Sequence, residues 1–162
     1  MAEPRWLDAD EQRAWRAFIE ATGLLINQLD RELQRDAGMP HAYYEILVRL
    51  SERPDRSMRM SELARATQSS RSRLSHAVAR LEEAGWVRRE SVPHDRRAAV
   101  AVLTDEGFAA LAAAAPGHVE GVRRHLLDRL TRAQVGQLRR ISEAIREPLA
   151  ERSGQPSSAS DR

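Results

Sequence analysis

Between Met60 and Gly107 the chain passes through three pieces whose order leaves few folds open. MSELARATQ is a short helix-forming stretch, and SSRSRLSHAVARLEEAGW is a longer one with a polar, arginine-bearing start. VRRESVPHDRRAAVAVLTDEG then reads as two strands around a basic tip. A short helix, a turn and a longer helix present the first residues of the second helix to base edges of duplex DNA. The hairpin behind them carries Asp95, Arg96 and Arg97 at its tip, where an arginine reaches an adjacent groove. The order predicts a mainly α fold with a small β-hairpin wing, a winged helix-turn-helix.

Charge placement supports that reading better than net charge does. The chain has no lysine, so its 26 basic residues are all arginine, and the pI near 9.8 reflects mainly that. Residues 1–36 hold five Arg against eight acids, a net of −3. Residues 53–97 hold eleven Arg against six acids, a net of +5. Positive charge concentrated on the reading unit is the footprint of a phosphate-binding surface, with a merely solvated charged face as the bland alternative.

The flanks are helical. Trp15, Phe18, Ile19, Thr22, Leu25, Ile26, Leu29 and Leu33 recur at three- and four-residue steps, predicting one long helix from about Asp8 to Asp36. Gly38-Met39-Pro40 leads into a second helix bearing Tyr43, Tyr44, Ile46, Leu47 and Leu50, which Arg53-Pro54-Asp55 breaks. Ser61 is the expected N-cap of the short helix, and Ser69 or Ser70 that of the longer one. Leu74, Ala77, Val78 and Leu81 form the latter's buried stripe, and Gly85 suits a left-handed helix end. Thr104 caps a long helix that Pro116 should kink. Thr131 with Gln134 matches a capping box for a last helix with Val135, Leu138, Ile141, Ile145 and Leu149. From Ser153 the small, polar tail is expected to be disordered.

The terminal helices carry more apolar stripe than the small central unit can cover. A second copy related by two-fold symmetry buries the excess, although an intramolecular bundle would also hide it. The expected division is a dimerisation helix at 1–36, a winged DNA-binding region at 37–104, dimerisation helices at 105–152 and a tail at 153–162. Two-fold symmetry also sets two reading heads about one turn of DNA apart.

In this order and spacing, SELA, the serine-rich entry to the reading helix, RLEEAGWVRR, DRR and VLTDEG resemble the MarR family of bacterial winged-helix regulators. The resemblance runs from about Trp6 to Leu149. It implies a cytoplasmic homodimer that represses transcription from a pseudo-palindromic operator and is released by a small, often aromatic ligand. Carried over by position, Ser70, Arg71, Ser72, Arg73, Ser75 and His76 face the major groove. Asp95 braces the wing, Arg97 enters the minor groove and Arg96 lies on nearby phosphates. His76 and Ala79 depart from the family, which commonly has Arg and Asp there. Arg makes a bidentate contact to guanine where His offers one good hydrogen bond, so Arg73 is expected to share base reading. Arg88, Arg89, Arg96 and Ser70 are expected on phosphates, which position without reading sequence. Arg80 and Arg88 have competing partners in Glu83 and Glu90.

Other classes find little support. The absence of cysteine removes disulfides and thiolate chemistry, and there is no Gly-rich phosphate loop or Gly-x-Ser-x-Gly turn, so no enzyme and no cofactor are expected. No run approaches a membrane span, and the acidic start is unlike a signal peptide. His118 and His125 share a helix face two turns apart, too far to chelate one ion alone. A metal-sensing regulator of the same fold and a non-specific DNA-coating protein remain as alternatives. For an effector between dimer core and head, Trp15, Tyr43, Tyr44 and His118 are the candidates, against ordinary core packing.

Overall fold

The computed structural model describes residues 3–92 and 95–154, with side chains at 92, 95–98 and 151–154 outside the description. Helix α1 spans Ala9–Ala37 and α2 spans His41–Ser51. Strand β1 is Ser57–Arg59, α3 is Met60–Ala66 and α4 is Arg71–Glu83. The hairpin is β2, Val87–Val92, and β3, Asp95–Leu103. Helix α5 runs Asp105–His125, and a 3-10 turn at Leu127–Arg129 leads to α6, Arg132–Gly154.

The caps explain most boundaries. Asp8 accepts from the Asp10 and Glu11 amides while Glu11 returns a carboxylate to the Asp8 amide, closing a capping box on α1. Gly38 ends α1 at φ 62°, a left-handed angle that an L side chain strains to reach. Thr104 caps α5 through the Gly107 amide, and Thr131 exchanges bonds with Gln134 at the head of α6. Two boundaries differ from expectation. Helix α3 begins at Met60 with Arg59 as N-cap, and Ser61 lies inside its first turn. The cause is β1, which holds Ser57–Arg59 extended and delivers the chain into the helix directly. At the other end α6 continues through Gly154, past the expected break at Ser153.

The sheet is larger than the hairpin by that short strand. Its order is β1-β3-β2, all antiparallel, with Ser57 opposite Val102 and Val87 opposite Leu103. Met58, Val87, Ala101 and Leu103 face inward from the three strands. They meet Leu47 and Leu50 of α2, Leu63 of α3, Leu74, Val78 and Leu81 of α4, and Leu111 and Ala114 of α5. Ala77, expected in the α4 stripe, is only half-buried against this core. Such a core clamps α4 on one face and leaves the other to solvent.

The terminal helices contrast with the head. Only Leu29 and Leu33 of α1 are buried. Trp15, Phe18, Ile19 and Ile26 on α1 and Ile141, Ile145 and Leu149 on α6 are 44–57% exposed. Helix α1 packs on α5, where His125 Nε2 lies 2.8 Å from Glu32 Oε1 and Gly121 leaves room for the Glu32 carboxylate. Among the described residues no helix is long and apolar enough to cross a membrane.

Candidate nucleic-acid interface

The solvent face of α4 is set by its cap and its stripe. The turn from α3 closes with Thr67 Oγ1 donating to the Leu63 carbonyl, and Gln68 takes a φ of 51°. Ser70 then caps α4, its Oγ accepting from the Arg73 amide at 3.3 Å. With Leu74, Val78 and Leu81 turned inward, the 3.6-residue period puts Arg71, Ser72, Arg73 and His76 outward, all exposed. Ser75 is half-buried. Six expected contact residues thus gather within the first two turns of one helix, beside amide groups whose dipoles favour an anion.

Ion pairing sorts the arginines. Arg80 binds Glu83 at 2.7 Å, and Arg88 binds Glu90 at 2.7 Å across two positions of β2. The Glu83 hydrogen bond, with a smaller contribution from Tyr43, raises the Arg80 pKa further. Both pairs are exposed, so they hold their arginines weakly. Arg89, expected on phosphate, is instead turned into the protein, with Nε 2.9 Å from Glu82 Oε2 and Nη2 donating to the Ser75 carbonyl. Its direction follows from strand alternation, since Val87 two residues before it is buried. Among the described residues of the head, Arg59, Arg65, Arg71 and Arg73 make no ion pair or side-chain hydrogen bond. Arg59 and Arg65 were not singled out from sequence, although both fall in the basic stretch. The side chains of Asp95, Arg96 and Arg97 lie outside the described residues, whose backbone pairs Asp95 with Val92 at the hairpin end.

The effector candidates separate. Tyr44 and His118 are together, their ring centroids 4.5 Å apart, with His41 5.5 Å from His118. Burial, and then the nearby His41, hold the His118 imidazole below its usual pKa, and its buried Nδ1 has no partner. Burial also raises the Tyr44 phenol. A cavity of about 70 Å³ adjoins His118, lined by Leu29, Glu32, Leu33, Asp36 and Ala114 among others. Tyr43 is half-buried on the core side. Trp15 is 56% exposed and sits about 21 Å along α1 from Leu29, so within one protomer it does not share this cavity. A second, open cleft of about 1290 Å³ lies between the terminal helices and the head, touching Phe18, Arg65, Arg71, Ile145 and Leu149. None of the four candidates lines it. His125 pairs with Glu32, and among the described residues no three His, Asp or Glu side chains are gathered to hold a metal ion.

Comparison with known proteins agrees with this geometry. The model of the MarR family matches residues 37–98, from the end of α1 to the wing. The crystal structure of Sco3205, a MarR family transcriptional regulator from Streptomyces coelicolor in complex with DNA, superposes with a TM-score of 0.87. It is 55% identical over 98% of this chain and 97% of that one. The chain belongs to the MarR family of transcriptional regulators. AbsC, another MarR family regulator from the same organism, is 45% identical over 94% of this chain and all of its own, with a TM-score of 0.82. The regulator PecS of Dickeya dadantii is 41% identical over 63 residues, a match that spans 38% of PecS. The MarR assignment accounts for the mainly helical architecture and for the three-stranded wing alike.

Proposed function

We propose that this regulator binds duplex DNA as a homodimer and reads a pseudo-palindromic operator with α4. The observation that carries the reading is the exposed N-terminal face of α4, with Arg71, Arg73 and His76 unpaired over a buried apolar stripe. The DNA complex of the 55%-identical Sco3205 supports it. In this reading Arg73 and His76 specify bases, while Ser70, Arg71, Ser72, Ser75 and Arg88 position the helix on the backbone. Asp95 braces the wing and Arg96 and Arg97 contact the neighbouring groove. The head is residues 37–104, and 1–36 with 105–152 form the dimer core. The exposed apolar residues of α1 and α6 support a two-fold partner, since a solvated stripe of that size is costly in a monomer.

Repression released by a small ligand is the regulatory part of the proposal. The Tyr44–His118 cluster with its unpartnered Nδ1 is the site that supports it, joining α2 of the head to α5, which leads to the core. Trp15 is assigned to the dimer face instead.

The test is selection from a randomised duplex pool by the purified protein at near-physiological salt. Enrichment of a pseudo-palindrome with half-sites about one helical turn apart is the expected result. Retention without enrichment would favour a coating role, and no retention would refute the DNA-binding reading.

A further inference from the structure

Arg89 and Glu82 make a bridge in the head that ties the wing to the reading helix at two levels. Glu82 closes the C-terminal end of α4, and its two oxygens take the Arg89 amide and the Arg89 Nε, each at 2.9 Å. From there the guanidinium extends back along α4, and Nη2 donates to the Ser75 carbonyl at 2.8 Å. Ser75 and Glu82 are about two helical turns apart, so one side chain spans much of the helix. Both partners are two-thirds shielded, at 31% and 33% exposure, whereas Arg80–Glu83 and Arg88–Glu90 are exposed by half or more. A planar guanidinium held at two fixed acceptors leaves little freedom to rotate, which a lysine in its place would not reproduce.

Its acceptor on α4 is also well placed. Ser75 lies between Arg73 and His76, the two residues assigned to base edges. At its other end Arg89 sits in β2 opposite Ala101 of β3, within the sheet that carries the hairpin toward Arg96 and Arg97. Rotation of α4 against the sheet therefore has to stretch this bridge.

We propose that Arg89 is a positioning residue for DNA reading: held by Glu82 and the Ser75 carbonyl, it fixes the angle between α4 and the wing. This rests on the DNA-binding reading above. It replaces a phosphate contact at Arg89 with an internal one, and the two roles differ in sign at Glu82. If Arg89 served phosphate, removing the carboxylate would release a cation to the backbone and tighten binding. If Arg89 positions the helix, the same change loosens the angle and weakens specific binding.

The experiment uses the full chain and two probes, the duplex selected by the wild type and a scrambled duplex of equal length. Affinity is measured from about 50 to 200 mM salt for wild type, Glu82→Gln, Arg89→Ala, Arg89→Lys and the double variant E82Q/R89A, with Tm recorded for each. Glu82→Gln and Arg89→Lys should each lose about tenfold or more on the selected duplex, beyond what any fall in Tm and folded fraction from the lost charge-assisted bonds accounts for. Binding to the scrambled duplex and the salt slope should stay as in the wild type. The double variant should lose no more than the worse single one, because both changes break one bridge. Equal or tighter binding by Glu82→Gln would overturn the proposal. A salt slope reduced by about one per protomer in Arg89→Ala would do the same, since that marks a lost phosphate contact. Losses that simply follow a lower folded fraction would reduce Arg89 to a stability role and also overturn it. A wild type that retains no duplex fails at the earlier step and refutes DNA binding itself.

Discussion

Gly107 offers the sharpest test of how α5 is fixed to the head. A Cβ built there would lie 2.0 Å from the Trp86 carbonyl oxygen and 2.8 Å from a Leu103 methyl. The carbonyl belongs to the turn between α4 and β2, and it already accepts from the Thr104 amide at 3.1 Å. Thr104 Oγ1 donates to the Gly85 carbonyl next to it at 2.7 Å. Relief of the clash in Gly107→Ala requires about an ångström of backbone movement, because the nearest obstacle, the Trp86 carbonyl, is itself main chain. Overpacking of that kind costs about 1–3 kcal/mol, and weakening the two Thr104 bonds adds about 0.5–1.5 kcal/mol each. The better helix propensity of alanine returns about 1 kcal/mol. A net loss of about 3 kcal/mol follows, or roughly 6–12 °C in Tm for a chain of this size. Differential scanning calorimetry at fixed protein concentration measures it. Gly121→Ala is the control, since its nearest atoms are the Glu32 carboxylate and a Leu29 methyl, side-chain ends that can swing away. A Gly107→Ala Tm within about 2 °C of wild type, or no lower than that of Gly121→Ala, would refute the reasoning.

Three further outcomes are expected. His118 has its folded-state pKa depressed, so the unfolded chain takes up a proton first as pH falls through about 6.5. Stability contributed by the neutral imidazole is therefore present above that value and is lost on acidification until the folded-state pKa is passed. Between about pH 7.5 and 5.5 the wild type should lose more Tm than His118→Gln, and parallel curves would refute the burial argument. Ile19→Glu and Ile141→Glu place charges on apolar positions 49% and 57% exposed in the protomer, and light scattering should show monomers. Persistent dimers in both variants would locate the interface elsewhere. Arg73→Ala should change which duplexes are selected, whereas Arg97→Ala should weaken all of them. Equal, sequence-independent losses from both would remove the division between reading and anchoring.

Much of the candidate interface was legible because it depends on local rules. The cap at Ser70 and the stripe Leu74, Val78 and Leu81 fix which way Arg71, Arg73 and His76 point before any tertiary contact is known. The competing pairs Arg80–Glu83 and Arg88–Glu90 were also readable, from helical and strand spacing. Arg89 was readable in principle, since alternation from Val87 turns it inward, but a basic run encourages a uniform assignment to phosphate. Strand β1 was missed for a different reason. Three residues with one inward apolar side chain, Met58, carry no periodic signal, and the strand exists because β3 offers it an edge. Its presence moved the start of α3 from the expected Ser61 cap to Arg59.

By itself, the sequence determined the order of the long helices and the hairpin, the caps of α4, α5 and α6, and the outward face of the reading helix. Those features follow from bonds and periodicities within a few residues of chain. Tertiary structure alone decided which aromatic groups meet. Tyr44 joins His118 across α2 and α5 while Trp15, on the same list by chemistry, lies some 14 residues up a rigid helix. It also decided which groups the inward-turned Arg89 meets, Glu82 and the Ser75 carbonyl, and that Gly107 must lack a side chain. Each of these depends on the distance between separate elements, which packing sets and local pattern does not encode.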